Sequence, residues 1–167
     1  MEISLSRKGD YSVRAVIALG RAWGDGRRKS RQIARTMDIP PQYLPQLMAP
    51  LVGAGLVRAT AGPDGGYELA RDPAEITLLE VVEVAEGPVA GDRCLLAGGP
   101  CDWVDQCPAH DAWDRAQRAV ATELRKTTVE ELAERDRSIE AGRATPPERP
   151  LHPRPVERRG VRDPGTG

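Results

Sequence analysis

Apolar residues recur along this chain first at helical spacing, then with alternation, then at helical spacing again. Ser6 is placed to cap a helix, and Tyr11, Ala15, Ala18, Leu19 and Ala22 carry its apolar face to about Trp23, where Gly24-Asp25-Gly26 ends it. After Arg27-Arg28-Lys29, Ser30 is expected to cap a short second helix to about Met37, with Ile33, Ala34 and Met37 inward. A third helix is predicted to begin between Pro41 and Tyr43, capped near Gln42, and to reach about Gly53. Leu44, Leu47, Met48 and Leu51 form its stripe, and Pro45 suits a first turn, whose N–H groups lack intrahelical acceptors. Two strand-like runs, Leu56 to Thr60 and Tyr67 to Ala70, then flank a Gly-rich turn and predict a hairpin.

Beyond the hairpin, Thr77-x-x-Glu80 reads as a capping box opening a helix to about Glu86, with Ile76 and Val81 as its staple, and Gly87-Pro88 stops it. A longer helix is predicted from about Ala109 to Thr127, with Trp113, Ala116, Val120 and Leu124 three and four apart. Thr128-x-x-Glu131 starts another, ending around Arg137. Residues 138–167 hold six prolines, four glycines and almost no large apolar side chain, so this Pro/Arg-rich tail is expected to be disordered. The fold class is therefore mainly α with a small β-hairpin wing: a winged helix-turn-helix in 1–72, then helices and a cysteine-bearing loop in 73–137.

Charge changes the picture because it is unevenly spread. The net charge is −1, yet residues 1–72 carry eleven Lys or Arg against seven Asp or Glu, and residues 73–137 carry seven against fourteen. A basic front half suits a polyanion, and an acidic middle argues against coating by nucleic acid over the whole surface. No run approaches the roughly 18 apolar residues of a membrane span, and no apolar leader precedes Arg7 and Lys8. With an odd cysteine count, these features point to a reducing cytoplasm.

The chemistry concentrates in Cys94-x6-Cys101-x5-Cys107-x2-His110, in a chain with three cysteines and two histidines. Thiolates and an imidazole interleaved with Gly98, Gly99, Pro100, Asp102, Asp105 and Pro108 are suited to a soft metal or an iron-sulfur cluster, at about 88–108. Buried inert thiols would instead scatter over core helices.

In the front half, three helices and a hairpin place the third helix to enter a major groove and the hairpin to touch the backbone. Arg27, Arg28, Lys29, Ser30 and Arg31 surround the entry to the second helix and are suited to phosphate; Gln42, Tyr43 and Gln46 open the candidate reading helix; Arg58 and Thr60 lead into the wing. By residue type alone, these could equally be solvated polar faces of a small helical domain.

At this point the chain resembles the IscR/NsrR-type family of bacterial iron-sulfur transcription regulators. The likeness runs from Leu5-Ser6-Arg7-Lys8-Gly9-Asp10-Tyr11-Ser12-Val13-Arg14-Ala15 through Ile39-Pro40-Pro41-Gln42-Tyr43-Leu44 and Gly65-Gly66-Tyr67-Glu68-Leu69-Ala70-Arg71 to the cysteine segment and Ala112-Trp113. The resemblance implies a homodimer on a pseudo-palindromic double-stranded operator, whose long helix at about 109 to 127 crosses its counterpart. Trp113, Ala116, Val120 and Leu124 would supply that interface.

It also implies that Cys94, Cys101 and Cys107 are cluster ligands. His110 falls where the IscR-like branch has its histidine, which goes with 2Fe-2S. Asp10 falls where the nitric-oxide-sensing branch offers a carboxylate from the other subunit to 4Fe-4S. His110 and 2Fe-2S are favoured, because His110 lies three residues from Cys107 and needs no help from a partner. The chain departs from the family in having six residues, not five, between Cys94 and Cys101, and in having Pro45 where the IscR-like branch has a polar residue that tunes DNA choice.

Two other classes compete with a cluster-sensing regulator. A zinc-binding nucleic-acid module would use the same four ligands, though only Trp103 offers an aromatic for stacking within the segment. A small electron-transfer protein would need only the cluster. Paired carboxylates, a phosphate-cradling loop and a nucleophile with its base are missing from the sequence, so neither an enzyme nor a small-molecule substrate is expected.

Overall fold

The computed structural model describes residues 4–91 and 107–145. Its helices are α1 (Arg7–Arg21), α2 (Ser30–Met37), α3 (Leu44–Gly53), α4 (Leu78–Glu86), α5 (His110–Lys126) and α6 (Val129–Glu140); β1 (Val57–Thr60) and β2 (Gly66–Leu69) form the hairpin. Single 3-10 turns at Pro41–Tyr43 and Pro73–Glu75 precede α3 and α4.

Ser6 caps α1, its hydroxyl accepting from the Gly9 N–H at 3.3 Å. A second group not legible in the sequence joins it: Glu86, ending α4, accepts from the Ser6 N–H at 2.9 Å and the Ser6 hydroxyl at 2.6 Å. This carboxylate lies at the positive end of the α1 dipole.

Ser30 is not the cap of α2. It is the first helical residue, and Lys29 holds the cap position, donating its N–H to Gln32 Oε1 at 2.9 Å. The reason is a neighbouring constraint. Arg28 exchanges both backbone hydrogen bonds with Tyr67, at 2.8 and 2.9 Å, which keeps the chain extended through Lys29. Arg27 to Lys29 thus adds a short third edge to the hairpin beside β2, an edge the sequence pattern did not reveal. Gly66 allows it: at φ 152° its missing Cβ would otherwise stand 2.6 Å from the Arg28 carbonyl oxygen.

Gln42 and Tyr43 lie on the 3-10 turn before α3, with Pro45 in the first turn of the helix itself. β1 and β2 pair antiparallel with Val57 opposite Leu69, Arg58 opposite Glu68 and Ala59 opposite Tyr67. The capping boxes of α4 and α6 are both formed, and their entries pair with each other, Leu78 N–H to Thr127 O at 2.8 Å and Val129 N–H to Ile76 O at 2.9 Å.

One buried cluster gathers α1, α2, α3 and the hairpin around Val16, Leu19, Ile33, Leu44, Met48, Leu51 and Leu69. Ile76, Val81 and Val129, beyond residue 72, belong to the same cluster. α6 continues three residues past the expected end at Arg137, because Asp136 and Glu140 both reach Arg21 of α1. Residues 138–145 are described, and 146–167 lie outside the described residues.

Candidate DNA interface and ligand segment

The basic group expected at the α2 entry is at the surface. Arg27, Lys29 and Arg31 are exposed, and Arg28 and Ser30 are half-buried. The two arginines are loosely held by local partners, Arg28 by Asp25 at 3.4 Å and Arg27 by Glu68 at 3.5 Å, and the Lys29 ammonium donates to the Pro63 carbonyl of the wing turn. Exposed pairs of this kind contribute at most about 1 kcal/mol each, so the side chains remain available to phosphate. Across the hairpin, Arg58 is exposed and approaches Glu68 at 3.7 Å; Thr60 is half-buried.

α3 buries Leu44, Leu47, Met48 and Leu51 and leaves Gln46 exposed, with Gln42 exposed just ahead of it. Tyr43 is 44% exposed, but one side of it is occupied: its ring lies 6.1 Å from that of Tyr11, tilted by 56°. Arg14 stacks over Tyr11 at 5.9 Å, donates to the Met37 carbonyl at 3.4 Å, and bonds Asp10 at 2.9 Å. The amino end of α1 is therefore wired to the last turn of α2 and the entry to α3, a link that residue spacing did not disclose.

In the cysteine segment, Cys94 and Cys101 lie outside the described residues. Cys107 is a free, buried thiol directly before α5, and His110, the first residue of α5, is exposed and donates its backbone N–H to the Cys107 carbonyl at 3.0 Å. One backbone turn thus joins a buried thiol-bearing residue to an exposed imidazole-bearing one, donor types that suit a soft metal or cluster. Asp10 is already partnered by Arg14. Among the described residues no group of three or more His, Cys, Asp or Glu is gathered to hold a metal ion. At the other described end of the segment, the Gln117 amide, oriented to satisfy both neighbours, donates to Gly91 O at 3.1 Å and accepts from Trp113 Nε1 at 3.2 Å. Gly91 and Cys107 thus both meet the first turns of α5.

The long-helix stripe is unevenly covered. Trp113 and Leu124 are half-buried and Ala121 beside them is buried, whereas Ala116 and Val120, the latter 36% exposed, are open to solvent. Glu80 has a displaced acidity. Burial by itself would raise its pKa, but bonds from the Thr77 backbone and from Arg71 and the Thr77 hydroxyl outweigh this and hold it below the usual carboxylate range.

A helix-turn-helix with a hairpin wing, a basic α2 entry and a polar-tipped α3 defines a winged-helix DNA-binding transcription regulator rather than an enzyme. A family model described as Rrf2, iron-dependent transcriptional regulator, matches residues 5–135, and the chain belongs to that family. It is 36% identical over 132 residues to the HTH-type transcriptional regulator CymR of Bacillus subtilis, covering 78% of this chain and 90% of that protein. It is 31% identical over 153 residues to IscR of Xenorhabdus nematophila, covering 87% and 93%. The solved structure of B. subtilis CymR, described as the global cysteine regulator, superposes with a TM-score of 0.68 at 35% identity, over 80% of this chain and 98% of that one. That of T. potens IscR gives 0.68 at 28% identity, over 87% and 96%. Among the described residues no helix is long and apolar enough to cross a membrane.

Proposed function

We propose that this chain is a homodimeric repressor-type regulator of pseudo-palindromic DNA sites, whose affinity responds to an iron-sulfur cluster held by Cys94, Cys101, Cys107 and His110. The observation that carries this reading is the Cys107 and His110 pair on one turn at the start of α5, while Asp10 is engaged by Arg14. That arrangement favours His110 as the fourth ligand, and with it 2Fe-2S over 4Fe-4S. The bound cluster would supply reversible one-electron chemistry and a site for attack by oxidants or nitric oxide. Ala116 and Val120, exposed on α5, suit the dimer contact, and the half-buried Trp113 and Leu124 continue the same apolar stripe.

Likeness to a global cysteine regulator favours a second reading, a family member answering to sulfur-amino-acid supply without a cluster. Visible absorption of anaerobically purified protein, with iron and sulfide analysis, separates the two. A coloured protein with iron and sulfide supports the cluster; a colourless protein without iron overturns it, and one zinc per chain supports a structural zinc site instead. Loss of the spectrum in His110→Ala but not in Asp10→Ala supports the ligand assignment, and the reverse overturns it.

A further inference from the structure

Three charged residues form a row across the wing. Arg58 on β1 stands directly opposite Glu68 on β2, and the Arg28 to Tyr67 bridge brings Arg27 alongside Glu68 from the other side. Both guanidinium groups approach the same carboxylate oxygen, Glu68 Oε1, at 3.5 Å from Arg27 Nε and 3.7 Å from Arg58 Nη1. Glu68 is 27% exposed and the arginines 42% and 62%, so the whole row faces solvent.

We infer that Glu68 is an affinity-setting residue of the DNA interface, a built-in competitor that lowers the wing's affinity for DNA phosphate. This rests on the wing arginines meeting DNA as proposed above. Contacts from a wing to phosphate carry no sequence information and add equally to operator and non-operator binding. A carboxylate midway between the two cations offsets one of their charges, so fewer counterions are released when the wing meets DNA. The long N–O distances matter here. Loose, solvent-exposed pairs cost little to exchange, so Glu68 discounts the contact without blocking it. What remains of the affinity then depends more on the α3 side chains that face bases.

The test is binding of the full chain to a duplex of random sequence, followed over a range of potassium chloride concentrations. Glu68→Gln keeps the shape and removes the charge. It is expected to tighten binding about five-fold and to steepen the slope of log affinity against log salt by about one. Arg27→Ala and Arg58→Ala are expected to weaken binding, and in the doubly substituted background Glu68→Gln is expected to have less than half its effect on log affinity. An unchanged affinity and salt slope for Glu68→Gln, with both arginine variants weakened, overturns this inference and leaves the DNA interface standing. No change in any variant overturns the wing assignment itself. Unchanged far-ultraviolet circular dichroism and melting confirm that each comparison is between folded proteins.

Discussion

Arg21, in the last turn of α1, donates to Asp136 of α6 at 2.8 Å, although 115 residues separate them in the chain. The Asp136 side chain is only 8% exposed and that of Arg21 20%. Glu140 also pairs with Arg21, and Arg137 donates to the Arg21 carbonyl at 3.3 Å, so one residue at the carboxyl end of α1 receives three contacts from α6. The helix following the ligand segment and α5 is thereby clamped to the scaffold of the DNA-binding half.

Asp136→Ala removes the most buried member of that clamp and leaves a partly buried guanidinium with Glu140 alone. The expected loss is about 2 kcal/mol, at the low end for breaking a buried pair because Arg21 keeps some solvent and a second acid. Urea unfolding measures it. Glu140→Ala, at a half-exposed position, is expected to cost less than half as much.

Gly20 lets α6 approach α1. A Cβ there would lie 2.8 Å from Val129 Cγ1 and 3.2 Å from Ala133 Cβ, both in the buried face of α6. Gly20→Ala gains about 1 kcal/mol of helix propensity but overpacks a closed contact, and a net destabilisation of about 1 kcal/mol is expected in thermal unfolding. Gly20→Val is expected to be worse, since its two γ-methyl groups add volume against the buried Val129 and Ala133.

Glu80 predicts a pH dependence of definite sign. Its folded pKa lies below the ordinary value, so the unfolded chain binds more protons through that range and stability rises with pH. Its contribution is complete above about pH 4.3 and is lost as pH falls through the folded value. Urea midpoints measured from about pH 3 to 6 should fall less steeply in Glu80→Gln than in the parent, and the amide should cost about 1 kcal/mol near neutrality through the weakened capping box.

DNA contacts divide by chemistry. Arg31, exposed at the start of α2, is expected to act on phosphate, so Arg31→Ala should weaken every duplex alike and lower the salt slope by about one. Gln46, exposed on α3, is expected to read a base edge, so Gln46→Ala should shift preference among sequences by about 1–3 kcal/mol at one position. Competition binding against a pool of duplexes separates these outcomes.

Legibility in the sequence followed the range of the interaction. The Ser6, Thr77 and Thr128 caps, the α3 stripe and the hairpin were readable because each depends on residues within about four positions or on a simple alternation. Ser30 misled because its role was set from outside: pairing between Arg28 and Tyr67 moved the cap to Lys29. Trp113 and Val120, seven positions apart, lie on one face of α5, yet the first is half-buried and the second exposed, since an amphipathic stripe does not state how far along the helix a neighbouring surface covers it.

For the candidate site, the sequence by itself determined the inventory: a basic α2 entry, glutamines ahead of and within α3, and a cysteine-histidine set ahead of α5. Residue type and spacing are sufficient for that. Only the tertiary structure decided that Arg14 holds Asp10, that Glu86 of α4 holds the Ser6 cap of α1, that Arg21 and Asp136 join the two halves, and that Glu68 stands between two wing arginines. These pairings join residues whose proximity, apart from the i, i+4 pair of Asp10 and Arg14, is created by packing of the common core. Charge and hydrogen-bond partners act over a few ångströms in space, and sequence separation carries almost no information about such distances.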